Sequence, residues 1–381
     1  MTAYGNTNLY NKYVQEQASA AFRNKCIDEN AYRNILEKHA HTLYTPNYFI
    51  RIGLALLTIM ALTFSLVLLW LITRASSDDA IIGLLIFFAV LCYGLLELMV
   101  KQKKYYNAGI DNILMTAIVL LIISAFLVND FDNNYEVISC TTMLVCLWLA
   151  IRFNDAFMAI LAYAATITFF FLLYIKLGSV SKLTAPFVLM VFAVLIYLYI
   201  QQLLSIHKLV IYKYCMQWVT LLTLITFYAA GNYFAVDRLS MEMFGTSIVM
   251  GWLFWIFTLG APPAYIFYGL KQKENMFYRT GFVLMVAGIL TVRYYHTVLS
   301  AEVAMIIFGI LLIAISYTLI KYLSTPKKGF TFEDDGYRNK NLLNAEALII
   351  AQVVGKKATV EQDGVQFGGG SSGGAGASGE Y

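Results

Sequence analysis

The sequence predicts an all-α fold: a polytopic transmembrane helix bundle of about ten helices, or eight if two short ones fail to span. Three observations predict it. Apolar segments of about 15–27 residues succeed one another from Phe49 to Leu323, against the ~20 residues that a bilayer core requires. Of the 381 residues, 60% are hydrophobic and only 13% are charged, whereas a soluble domain is about 45–50% apolar and about 25% charged. The gaps between the segments also alternate in charge, as they do when a chain weaves across a membrane.

Residues 1–48 are polar and read as a small helical hairpin. Its first helix is expected from about Leu9 to Lys25. The second opens at Asp28, a good N-cap, with Ile27 and Tyr32 spaced as a hydrophobic staple. So short a pair buries little surface alone, so it is expected to dock on the membrane domain or on a partner. Pro46 ends it. A cleaved signal peptide needs an early apolar region, which this order of parts does not offer.

Membrane helices are expected at 49–73, 80–100, 112–128, 137–152, 156–176, 184–204, 211–236, 244–270, 277–296 and 301–323, so the bundle occupies 49–323. Basic gaps carry Lys101, Lys103 and Lys104, then Lys208 and Lys213, then Lys271, Lys273 and Arg279. They alternate with gaps holding Asp78 and Asp79, then Asp130, Asp132 and Glu136, then Asp237 and Glu242. Lys176 and Lys182 run against the pattern. The majority places both termini in the cytoplasm, and a bacterial inner membrane is the expected location.

A cytosolic tail, 324–357, comes after the last span and contains Pro326. Within it Asn341 to Val354 reads as an amphipathic helix, with Leu342, Ala345, Ile349 and Val353 on one stripe as a partner-binding face. Residues 358–381 end in FGGGSSGGAGASGEY, too poor in apolar side chains to offset chain entropy, and are expected to be disordered.

Few side chains offer chemistry. Glu97 sits near the cytoplasmic end of the second span, where an intramembrane carboxylate suggests a proton or substrate site. The plainer alternative is an i,i+4 ion pair with Lys101. Arg293 and His296, with Glu302 nearby, lie at the outer end of the ninth span. They are either headgroup anchors beside Tyr294 and Tyr295 or a polar cluster at the mouth of a cavity. The eighth span contains GAPPA, with Gly260, Pro262 and Pro263 deep in apolar sequence. Proline removes a backbone donor, so a kink or break is expected there, either for packing or lining a cavity. Pro186 is expected at the start of the sixth span, where proline is benign. Asn232 is expected at the outer membrane interface. Gly281 and Gly288 permit close helix contacts, within one chain or between two.

The five cysteines are scattered as small hydrophobes, with no CxxC spacing. His39 and His41 point to different helix faces without neighbouring ligands, so neither a metal nor a cofactor is expected. GxxxxGK[ST] and HExxH motifs are missing from the sequence, and so is any Lys/Arg-rich run for nucleic acid.

The segments CIDENAYRNILEKH, IRIGLALLTIMAL, RTGFVLMVAGILTVRYYH and AEVAMIIFGILLIAISYTLIKYL carry a resemblance. Over roughly residues 40–325 the chain resembles a family of uncharacterised bacterial multi-pass membrane proteins with an N-terminal cytosolic helical hairpin. The tail is similar in composition to glycine-rich ends of some bacterial membrane-anchored proteins. Neither resemblance implies an activity.

Two functions fit. One is a non-enzymatic scaffold, sensor or assembly partner that recruits a protein through its cytosolic ends. The other is a secondary transporter or permease for a small or lipid-like solute, resting on the helix number, GAPPA and Glu97. A membrane enzyme needs a constellation that these residues do not assemble.

Overall fold

The computed structural model describes residues 2–128, 135–245, 248, 250–272, 274–295 and positions 306, 309, 310, 313, 314, 317, 318 and 321. The chain divides into two compact units, Met1–Ile315 and Ser316–Tyr381. In the second, Tyr317, Thr318 and Lys321 are the described residues, all helical. The first unit holds the bundle.

Its helices are α1 (Asn6–Arg23), α2 (Glu29–Lys38), α3 (Tyr48–Thr73), α4 (Asp78–Lys103), α5 (Ile110–Val128), α6 (Tyr135–Phe153), α7 (Ala156–Ile175), α8 (Ser179–Leu204), α9 (Lys213–Gly231), α10 (Tyr233–Phe244), α11 (Gly251–Gln272) and α12 (Asn275–Tyr295), with a 3₁₀ turn at His207–Tyr212. Among the described residues, nine helices are long and apolar enough to cross a membrane. They correspond to the first nine expected spans. The tenth falls largely outside the described residues, as do the amphipathic stripe of Leu342, Ile349 and Val353 and the glycine-rich tail.

Four antiparallel pairs organise the bundle: α4 with α5, α6 with α7, α8 with α9, and α11 with α12. All four turn at the same end, where the N-terminal segment also docks; we call it the docked end. The first pair shows how sequence builds the bundle. Ser77 caps α4, its Oγ accepting from the Ala80 N–H at 3.3 Å. Asp78 and Asp79 then complement the positive end of the helix dipole, and Lys101 and Lys103 the negative end. Lys104 and Asn107 are left-handed, and Gly109 takes φ +94°. The Asp111 carboxylate closes the turn, accepting from Asn107 N–H at 2.7 Å and Ala108 N–H at 2.8 Å. A Cβ on Gly109 would stand 2.3 Å from the Arg51 carbonyl oxygen, so α3 rests directly on this turn. The second pair turns in two residues, left-handed Asn154 and Asp155, which caps α7 through Met158 N–H at 2.8 Å.

α3 has no buried residue. Arg51, Leu54, Ala55, Thr58, Leu62, Leu66 and Leu69 form its half-buried stripe, and α5 is its main neighbour. The rest of its surface is apolar and exposed, as expected of a span that lipid surrounds.

Three local expectations change. The hairpin opens at Asn6, and Asp28 does cap α2, accepting from Ala31 N–H at 3.1 Å. Tyr32 also stacks on Phe22 at 4.8 Å between ring centres, because the antiparallel return of α2 brings it beside an aromatic of α1. Pro186 lies inside α8 rather than at its start, since the polar stretch from Ser179 is helical too, opened by Gly178 at φ +107°. The expected 211–236 span divides at Asn232, which ends α9 and caps α10.

Candidate functional site

The polar groups of the docked end form two neighbouring sets. Glu97, on α4, accepts from the Arg152 guanidinium of α6 at 2.9 and 3.2 Å. Lys101 is farther, 3.6 Å, and mostly exposed. The expected i,i+4 pair therefore exists but is secondary to a bidentate contact between spans. Tyr93 O–H also donates to Glu97 at 3.3 Å, and Trp148 Nε1–H donates to the Tyr93 oxygen at 3.3 Å. Glu97 is half-buried with its charge already matched.

The second set surrounds Asp111 and Asp155, both buried. Asn112 links them to α3: its amide N–H donates to Asp155 Oδ2 at 2.9 Å, while Arg51 donates to its Oδ1 at 3.3 Å. Asn154 donates to the Ile211 carbonyl at 3.0 Å and accepts from Cys215 Sγ–H at 3.3 Å. Burial pushes the Asp155 carboxyl up, as does the charge of Asp111.

The N-terminal segment closes this set from above. Ala3 N–H donates to the Arg152 carbonyl at 2.8 Å. The Tyr4 side chain is 6% exposed, edge-on to Tyr106 and Phe153 at 5.0 and 6.4 Å, with its O–H 3.5 Å from Asp111 Oδ2. Burial first, then the negative charge of Asp111, holds the Tyr4 phenol well above its ordinary value. Burial likewise raises Tyr106. Leu9 is buried in the same cluster, and the Lys12 ammonium sits 5.0 Å from the Tyr106 ring centre. The far side of the hairpin is tied by Tyr44, whose N–H donates to the Lys104 carbonyl at 2.9 Å and whose carbonyl accepts from Tyr106 N–H at 3.1 Å.

The GAPPA segment lies at the middle of α11, away from the docked end. α11 continues through both prolines. Pro262 has no N–H for the carbonyl four residues earlier, that of Thr258. Tyr228 O–H of α9 lies 3.4 Å from that oxygen. Thr258 Oγ also accepts from Tyr233 N–H at 2.8 Å. Ala261, Pro262 and Thr258 are buried, whereas Gly260 and Pro263 are exposed. Gly288 of α12 faces the same Thr258 carbonyl, and Gly281 faces Ile266 and the Pro262 carbonyl, so both small residues serve contacts within this chain. Asn232, at the end of α9, is buried at this junction, donating to Tyr228 at 3.0 Å and Thr291 at 3.2 Å.

Arg293 is exposed in the last turn of α12. His296 and Glu302 lie outside the described residues. Tyr294 and Tyr295 turn toward α10: Tyr294 accepts from Arg238, and Tyr295 donates to Asp237 at 2.6 Å. Lys176, which ran against the charge pattern, is paired with Glu136 at 3.1 Å. His39 has a ring nitrogen 3.3 Å from Asn11 Oδ1. Burial lowers the pKa of His41, helped by Lys12. Among the described residues no group of three or more His, Cys, Asp or Glu is placed to hold a metal ion.

Sequence reasoning singled out Glu97 but not Arg152, and missed Tyr4, Asp111 and Asp155 altogether. Asp155 had a local signal, as an N-cap between two apolar runs. Tyr4 had none. Comparison of the chain with protein-family models, curated proteins and solved structures gave no match. The fold and its apolar spans define a multi-pass helical membrane protein.

Proposed function

We propose that this protein is a non-enzymatic scaffold, sensor or assembly partner, held in a bacterial inner membrane with both chain ends in the cytoplasm. The observation that carries this is the N-terminal hairpin, fastened to the bundle by Ala3 and Tyr4 on one side and Tyr44 on the other. A hairpin so fixed presents α2 outward at a set angle, and any load on it reaches the turns of two membrane helix pairs. Orientation is supported by charge. Arg51, Lys101, Lys103, Lys104, Lys213, Lys271 and Arg279 gather at the docked end and outnumber Arg74, Lys176, Arg238 and Arg293 at the other, where Asp78, Asp79, Glu136 and Asp237 also lie. The polar side chains described within the spans bond chiefly to backbone carbonyls of their own helices, or to one another as Glu97 and Arg152 do, which favours a structural bundle over a solute path.

Photo-crosslinking in native membranes tests the proposal. Crosslinkers placed at Asn34 and Lys38, both exposed on α2, should trap a discrete protein partner. So should one in the tail beyond Gln366 if that end recruits as well. A lipid-facing crosslinker at Leu56 serves as control. No protein adduct from any of these positions, with the control reacting, overturns the proposal. A solute flux in vesicles that Glu97→Gln or Pro262→Ala abolishes would establish transport instead.

A further inference from the structure

We infer that residues 2–12 form a displaceable strap over the buried polar set of Asp111, Asp155 and Asn154, beside Cys215, hinged at the Tyr44 side of the hairpin. The two fastenings differ in strength. Tyr44 is held by two backbone hydrogen bonds to the α4–α5 turn, and Lys104 Nζ donates to Thr42 Oγ at 2.9 Å beside them. The strap has one backbone bond, Ala3 to Arg152, and a Tyr4 contact at the outer limit of hydrogen-bond length. When unequal tethers share a load, the weaker opens first.

The polar set does not need the strap for its own satisfaction. Asp111 accepts from Asn107 and Ala108, Asp155 from Met158 and Asn112, and Asn154 bonds to Ile211 and Cys215. Lifting Tyr4 therefore strands no buried donor or acceptor. It uncovers Tyr106, Phe153 and the polar floor, which water then solvates. The strap also carries its own local bonds, Thr2 Oγ–H to Asn6 Oδ1 at 3.0 Å and Asn8 Nδ2–H to the Tyr4 carbonyl at 3.2 Å. These bonds bridge Gly5, whose φ of +78° lies where glycine costs least, so the strap moves as one unit. Hydrophobic packing of Tyr4 and Leu9 in the cluster shared with Cys215 keeps it closed at rest. The device does not depend on which partner meets the hairpin, so it can fail while the proposed function stands.

The native cysteines report on it. Cys26 is exposed, Cys215 is buried against Asn154 beside Asp155, and Cys92 and Cys146 are fully buried in the bundle. The full chain in detergent is treated with excess maleimide, and each cysteine's modification is tracked by peptide mass spectrometry. Cys26 should react at once. Cys215 should react next, well before Cys92 and Cys146. Tyr4→Ala should speed Cys215 by at least about tenfold, leaving Cys92 and Cys146 unchanged. Ala3→Pro, which removes the donor to Arg152, should act in the same direction. Reaction of Cys215 only in step with Cys92 and Cys146 in the unaltered chain would overturn the proposal without reference to any variant. A Cys215 rate that neither substitution moves would overturn it too, by showing a different route of opening.

Discussion

The hydroxyl of Tyr228 lies 3.4 Å from the carbonyl oxygen of Thr258, the acceptor that Pro262 leaves without its helical donor. A proline pair deep in an apolar helix is thereby supplied with a donor from the neighbouring span. Tyr228→Phe should destabilise the bundle by about 1–2 kcal/mol, the cost of an unmet buried acceptor. In a Pro262→Ala background the helix supplies its own donor, and the cost should shrink. Thermal denaturation of the four proteins of this cycle in detergent checks it. Equal costs in both backgrounds would mean that Tyr228 acts through Asn232 alone.

Glu97 and Arg152 should show coupling of roughly 1–3 kcal/mol in a double-substitution cycle, because their bidentate contact is partly withdrawn from water. The cycle pairs Glu97→Gln with Arg152→Gln. A parallel cycle with Lys101→Gln should give under about 1 kcal/mol, since that lysine is exposed. Coupling to Lys101 that matched or exceeded coupling to Arg152 would reverse the order inferred from the distances.

Two glycines should respond oppositely to alanine. Gly109 combines a positive φ with a Cβ position 2.3 Å from backbone, so Gly109→Ala should cost about 3 kcal/mol or more and reduce folded yield. Gly260 is helical, and nothing lies within 4 Å of its Cβ position. Gly260→Ala should be neutral or stabilise by up to about 1 kcal/mol. A loss at position 260 comparable to that at 109 would point to a role for Gly260 beyond packing.

Alkaline pH should weaken the docked end. The folded-state phenols of Tyr4 and Tyr106 both lie above their unfolded value, mainly through burial. Their contribution is fully present below about pH 10 and is lost as pH rises from there through the folded values. Tyrosinate absorbance measured alongside stability should show late titration that disappears in Tyr4→Phe/Tyr106→Phe, which should also be less alkali-sensitive. An identical pH dependence in that variant would count against the assignment. Asp155, raised by burial as well, has the same sign in the acid range: its contribution is full below about pH 3.9 and falls as pH climbs through the folded value.

Much of the architecture was legible because it depends on lengths and local composition. An apolar run of about 20 residues has few stable alternatives to a spanning helix, so the first nine spans, the Asp28 cap and the polar N-terminal hairpin could be read directly. Division at Asn232 was harder. Asn-Tyr-Phe is as apolar a continuation as many spans contain, and the cap is seen only when Asn232 bonds Ala235 N–H at 3.2 Å. The candidate site was legible only in fragments. Glu97 stands out as a carboxylate in apolar sequence, but Lys101 was its nearest visible partner along the chain.

Partner choice was left to the tertiary structure. Glu97 meets Arg152 across 55 residues of sequence, Tyr4 meets Asp111 across 107, and Tyr228 meets the Thr258 carbonyl across 30. Hydrophobic length is a property of one segment and is written wholly within it. A hydrogen bond or ion pair between spans depends on which helices pack together and at what rotation, and that is decided by the summed packing of the whole bundle.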